Sequence, residues 1–152
     1  MIKVIAIGNI LLSDDGIGIK VINRLRNKIE KLSEDIEVIL AGIDYYEFLE
    51  ELGDDDYLII VDASYLNNEV GQVCKYTLEE CDSFLQNNCS DYDINLIKIL
   101  RSERRKIKGS VITIEIGRIE YSLKISNELR KKFNEICGEV FERIEGIIKH
   151  LF

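Results

Sequence analysis

"KVIAIGNILLSDDGIGIKVI", residues 3–22, decides how the rest of the chain is read. Lys3-Val4-Ile5-Ala6-Ile7 is a short apolar run rich in β-branched residues and closed by Gly8, the pattern of a buried strand. Beyond the loop, Ile17, Val21, Leu25, Ile29 and Leu32 recur at helical spacing, so residues 17–32 read as an amphipathic helix. Between the two stand Asp14 and Asp15, side by side. One reading makes them a helix start: Ser13 suits an N-cap, and acids in a first turn suit the helix dipole. The other makes them a site. Gly16 and Gly18 favour the second, because each costs a helix about 1 kcal/mol relative to alanine and suits close approach by something. Ile10-Leu11-Leu12 is apolar for a connector; it is either core or a surface for a partner.

Working outward, residues 36–41 read as a second strand and 45–53 as a short helix. "YLIIVDA", 57–63, is apolar up to Asp62, as a central parallel strand should be. Residues 70–78 make a weaker, half-polar strand suited to an edge, and 79–92 read as mostly loop. A helix is expected over 93–105, a fifth strand over 110–116 and a long amphipathic helix over 126–149. Strands alternating with helices give a three-layer α/β/α sandwich around a mostly parallel sheet. If the first and third strands are neighbours, a crevice opens between their carboxyl ends, where ligands bind in such sheets. Asp14, Asp15 and Asp62 would then converge on it. The plainer reading of Asp62 is a cap on the next turn.

The 152 residues fit one domain spanning 1–152, with room for a full core. Net charge is −8, which argues against a nucleic-acid partner and against anionic membrane surfaces. No apolar run reaches transmembrane length, and the start reads as a strand and polar turn rather than a signal peptide, so a cytoplasmic location is expected. The four cysteines (Cys74, Cys81, Cys89 and Cys137) form no CxxC pair, and the single histidine, His150, lies near the end. That disfavours structural zinc and fits reduced thiols. There is no Walker A or G-x-G-x-x-G pattern, so no organic cofactor is expected, and no G-x-S-x-G nucleophile elbow.

The loop after the first strand resembles the opening of the hydrogenase maturation endopeptidases, whose pattern reads roughly G-N-x-L-x-x-D-[DE]-G-x-G. "YLIIVDAS" (57–64), "SDYDINLIKIL" (90–100) and "ITIEIGRIEYSLKIS" (112–126) resemble later family segments, in order. The resemblance implies a five-stranded sandwich with the 70–78 strand antiparallel. It also implies removal of a C-terminal peptide from a nickel–iron hydrogenase large-subunit precursor, or a related metalloprotein. Recognition would be guided by the substrate's nickel, without a serine or cysteine nucleophile. The family's three metal-binding positions fall on Asp15, Asp62 and Tyr92, the first two also being the expected catalytic acids. The third position is normally histidine. A phenol with a pKa near about 10 binds nickel or zinc poorly until deprotonated, and Asp91 and Asp93 flank it as oxygen alternatives. The loop after the second strand, Gly42-Ile43-Asp44-Tyr45-Tyr46, keeps one glycine of a region that is glycine- and threonine-rich in the family. A monomer is expected. Two other functions compete. One is a degenerate member that binds protein without cutting it. The other is a phosphoacceptor receiver, which needs a lysine closing the last strand where this chain has Ile116-Gly117-Arg118.

Overall fold

The computed structural model describes residues 1–86, 95–102 and 106–152. The elements run β1 (Ile2–Ile7), α1 (Ile17–Glu30), β2 (Ile36–Gly42), α2 (Tyr46–Glu50), β3 (Tyr57–Ser64), β4 (Val73–Thr77), α3 (Leu78–Gln86), α4 (Asn95–Ser102), β5 (Lys108–Glu115) and α5 (Asn127–Leu151). They form one five-stranded sheet in the order β2-β1-β3-β5-β4. β1 pairs in parallel with β2 and β3, β3 pairs in parallel with β5, and β4 runs antiparallel at the edge. The expected three-layer α/β/α sandwich, mostly parallel with one antiparallel strand, is the observed fold.

The strand periodicity sorts the core into two layers, because successive side chains point to opposite faces. Val4, Ala6, Ile59, Val61, Ile112 and Ile114 pack under α1 and α5. Ile5, Leu58, Ile60 and Val111 pack against α2, α3 and α4 through Phe48, Leu49, Leu78, Leu96 and Leu100. From β1 the chain steps outward to β2, then returns past β1 to β3. The sheet's direction of travel therefore reverses between β1 and β3, which places the crevice at their carboxyl ends. A receiver's sheet has the order 2-1-3-4-5. Here β5 lies inside an antiparallel β4, which removes that reading.

One expectation fails. Residues 79–92 are not mostly loop, since α3 occupies Leu78–Gln86. Leu78 and Cys81, one turn apart, are buried, and in the sequence Phe84 and Leu85 follow them at helical spacing, a periodicity that the many polar residues between them obscure. The stronger signal is a capping box. The Glu80 amide donates to Thr77 Oγ1 at 3.1 Å and the Thr77 amide donates to Glu80 Oε2 at 2.7 Å.

Candidate functional site

At the end of β1 the chain turns through Gly8, whose φ of 142° favours glycine, and whose added Cβ would lie 2.3 Å from the Asp15 carbonyl oxygen. The loop thus folds back onto its own start. Asn9 Oδ1 accepts from the Leu11 amide at 3.0 Å, and the Asn9 amide donates to Asp15 Oδ2 at 2.9 Å. A 3-10 turn over Ser13–Gly16 leads into α1. Here Ser13 is no N-cap: Gly16 occupies that position of α1. Ser13 is buried with φ of 53°, a left-handed conformation that costs a non-glycine residue roughly 1–3 kcal/mol. The strain is offset by two long-range bonds, from its amide to the Ser122 carbonyl (2.8 Å) and from Oγ to the Lys124 carbonyl (2.8 Å). Asp14 is fully buried and accepts from the Ser126 amide at 2.6 Å. It therefore serves the N-terminus of α5, neither starting α1 nor joining Asp15 and Asp62.

What approaches the two glycines is the protein itself. A Cβ on Gly16 would sit 2.7 Å from Ile10 Cα; on Gly18 it would sit 2.9 Å from the Val61 carbonyl oxygen and 3.1 Å from that of Ile7. Gly18 therefore seats the first turn of α1 directly on the carboxyl ends of β1 and β3. Asp15 precedes this contact by three residues, and Asp62 follows Val61. Both belong to the same edge of the sheet, at the switch point, and both are half-buried.

Asp62 Oδ1 accepts from the next amide, Ala63, at 2.7 Å, so the carboxylate is oriented by its own backbone. Tyr45 faces the same charge. Its pKa is raised by burial, then by Tyr46, which stacks on it with ring centroids 5.5 Å apart, and then by the Asp62 carboxylate. Behind Asp62, Glu115 closes β5, buried to 2% exposure. It accepts from Ser64 Oγ (2.9 Å) and from the amides of Leu66 (2.9 Å) and Asn68 (3.2 Å), which fixes the loop that leaves β3.

Asn9, Tyr45 and Glu115 were not singled out as site residues in the sequence. Glu115 carried the same signal as Asp62, an acid ending an apolar strand. Tyr92, Asp91 and Asp93 lie outside the described residues. Among the described residues no three His, Cys, Asp or Glu side chains form a metal-binding group. Cys74, Cys81 and Cys137 are thiols, Cys89 lies outside the described residues, and no described helix is long and apolar enough to cross a membrane.

The fold and these acids define an α/β protein with a carboxylate site at its topological switch point. The family model for hydrogenase maturation protease matches residues 19–146. The chain belongs to the hydrogenase maturation protease family, and its activity is proteolytic maturation of a hydrogenase. It is 30% identical over 104 residues to the hydrogenase 2 maturation protease of Escherichia coli, covering 68% of this chain and 63% of that one. A Methanocaldococcus jannaschii relative is 26% identical over 149 residues, covering 91% and 96%. In fold the chain is similar to the hydrogenase maturating endopeptidase HybD of E. coli, with a TM-score of 0.76 at 21% identity over 95% of this chain and 92% of that one.

Proposed function

We propose that the chain removes a C-terminal peptide from a nickel-loaded nickel–iron hydrogenase large subunit in the cytoplasm, acting as a monomer, with Asp15 and Asp62 facing the substrate's metal and scissile segment. The observation that carries this reading is the pair of backbone-oriented carboxylates at the carboxyl ends of adjoining strands β1 and β3. The metal belongs to the substrate. Each carboxylate has about four lone-pair directions, and each is oriented by a backbone N–H bond, from Asn9 to Asp15 and from Ala63 to Asp62. Carboxylates are oxygen donors suited to a divalent ion, and one held beside the scissile bond accepts the proton of the attacking water. His150 lines a cavity with Tyr57 and Ser110, near the starts of β3 and β5 and away from the acids, so it has no part in the reaction. Tyr92 is assigned the third donor position, with Asp91 and Asp93 as the alternatives.

The test is Asp62→Ala assayed on the authentic metal-loaded precursor. Peptide release is expected to fall by at least about 100-fold, on the scale of a lost general base, while circular dichroism and the urea midpoint hold. Undiminished release would overturn the reading. The third ligand has its own test. Tyr92→His should tighten nickel or zinc binding in isothermal titration, because neutral imidazole offers a lone pair where phenol must first lose a proton. Tight binding by the wild type, unchanged by the substitution, would move the third ligand to Asp91 or Asp93.

A further inference from the structure

Asp15 and Asp62 occupy the carboxyl ends of β1 and β3. At the other end of the sheet, between its α5-facing side and the last turns of α5, lies a cavity of about 480 Å³. Three strands build its floor. Tyr57 opens β3, Ser110 lies near the start of β5, and Lys75 lies in β4, whose antiparallel register sets Thr77 against Ser110 and Lys75 against Ile112. The far end of α5 supplies the wall. A volume of this size is within the range of small-molecule pockets, and the proposed proteolysis makes no use of it.

The polar lining is made of donors. The Tyr57 and Ser110 hydroxyls lie 2.9 Å apart. Two hydroxyls carry two protons and share only one between them, so the other is left to donate. Neither hydroxyl has a further partner among the described residues. Ser110 is only 4% exposed, so this donor is set into the protein rather than displayed on its surface. Arg143 Nη1 and Nη2 donate to the carbonyls of Glu139 and Val73 at 3.1 and 2.9 Å. Those bonds fix a half-buried guanidinium and leave three of its five N–H groups unused. Among the described residues neither Arg143 nor Lys75 forms an ion pair, and Glu142, the one acid on the lining, pairs with neither.

The lining is thus net positive on a chain of −8. The negative end of the α5 dipole also falls here, and Lys149 and His150 in the last turn offset it. His150 Nδ1 lies 2.7 Å from the Gly146 carbonyl, which only accepts, so Nδ1 donates and covers that oxygen. Ile147 and Leu151 add hydrocarbon to the same wall. Two cations against one acid match a single negative charge. A phosphate monoester brings about −1.5 to −2, more than the lining balances. A carboxylate brings one charge and two acceptor oxygens.

We propose that this cavity binds a small monocarboxylate with an apolar body. Lys75, Arg143 and the Tyr57–Ser110 pair take the carboxylate, and the body lies against Ile147 and Leu151. Binding here is independent of the peptidase reading, since no lining residue belongs to the carboxylate site and the measurement needs no precursor.

The experiment titrates the isotope-labelled full chain with hexanoate, acetate, hexanol and inorganic phosphate, following amide chemical shifts. Hexanoate is expected to bind with Kd below about 1 mM, at least about tenfold more tightly than the other three. The largest shifts should fall at 75–77, 108–111 and 143–151. Lys75→Met should weaken hexanoate at least about fivefold, and Glu142→Gln should tighten it by removing a like charge. Both side chains are exposed, and an unchanged urea midpoint confirms folding. Tyr57→Phe, which removes the spare donor and keeps the ring, should also weaken it. The assignment is overturned if hexanoate moves no amide up to about 10 mM, or moves amides elsewhere. Hexanol binding as tightly as hexanoate would make the cavity an apolar hole, and phosphate binding more tightly would make the ligand class wrong. Affinity unchanged in both Lys75→Met and Glu142→Gln would likewise overturn it.

Discussion

The Tyr45 phenol senses the Asp62 carboxylate 17 positions along the chain, and neither identity alone announces it. Asp62 was legible because an acid at the carboxyl end of an apolar strand has few structural uses. Tyr45 was not, because in the sequence it belongs to a loop whose neighbours nothing names; it packs against the α2 layer. Its raised pKa has burial as its largest cause, followed by Tyr46 and Asp62. A negative neighbour disfavours tyrosinate, so removing the charge must lower the value. In Asp62→Asn the Tyr45 titration, taken from tyrosinate absorbance as the difference from the matching Tyr45→Phe chain, should shift to lower pH. Burial and Tyr46 remain, so it should stay above that of an unperturbed tyrosine. An unmoved curve would mean that the phenol does not sense Asp62, and would remove Tyr45 from the site. The phenol keeps its proton through the neutral range, so it is able to donate a hydrogen bond there.

At the scale of elements, the start of α5 depends on a residue 112 positions away. Ser126 is its N-cap, and its Oγ accepts from the Leu129 amide at 3.4 Å, a long bond. In a capping box the N3 residue, as Glu or Gln, reaches back to the N-cap amide. Here N3 is Leu129, which cannot, and Asp14 supplies that acceptor from the β1–α1 loop. Among the described residues the other Asp14 oxygen, also buried, has no hydrogen-bond partner. Asp14→Ala should therefore lower stability by about 1–2 kcal/mol, the scale of a lost cap. It should also speed hydrogen exchange at Ser126 and along 121–126. Stability lost without faster exchange there would mean that the cost arises elsewhere. This clamp was invisible in the sequence because nothing in "SDD" names its partner 112 residues on, and the local reading, Ser13 as a cap for α1, was plausible by itself. By contrast, the capping box of α3 was legible at Thr77 and Glu80, but the polar composition of the following residues outweighed it. The strands were read with little error, since their apolar runs are short, dense and bounded.

On the scale of the molecule, one sheet serves both helical layers. β1, β3 and β5 each send alternate side chains into the α1–α5 layer and the α2–α4 layer, so neither layer has a core without the other's strands. The site is built from the same shared strands: Asp15 follows β1, Asp62 ends β3 and Glu115 ends β5. Two cavities of about 480 Å³ lie elsewhere, along α5 and β4, and neither includes Asp15 or Asp62. What locates the candidate site is the reversal of strand order between β1 and β3. Shared strands also set how the chain must come apart. We propose that residues 1–152 form a single domain, and the expected consequence is one cooperative transition. Urea unfolding followed by far-ultraviolet circular dichroism, which reports all helices, should coincide with unfolding followed by tyrosine fluorescence. The chain has no tryptophan, and its seven tyrosines include Tyr45, Tyr46 and Tyr57 in or beside α2 and β3 and Tyr76 in β4. The same midpoint and the same slope by both probes are expected, because the slope follows the surface exposed on unfolding. Two separated midpoints would divide the chain into two folding units and overturn the single-domain reading.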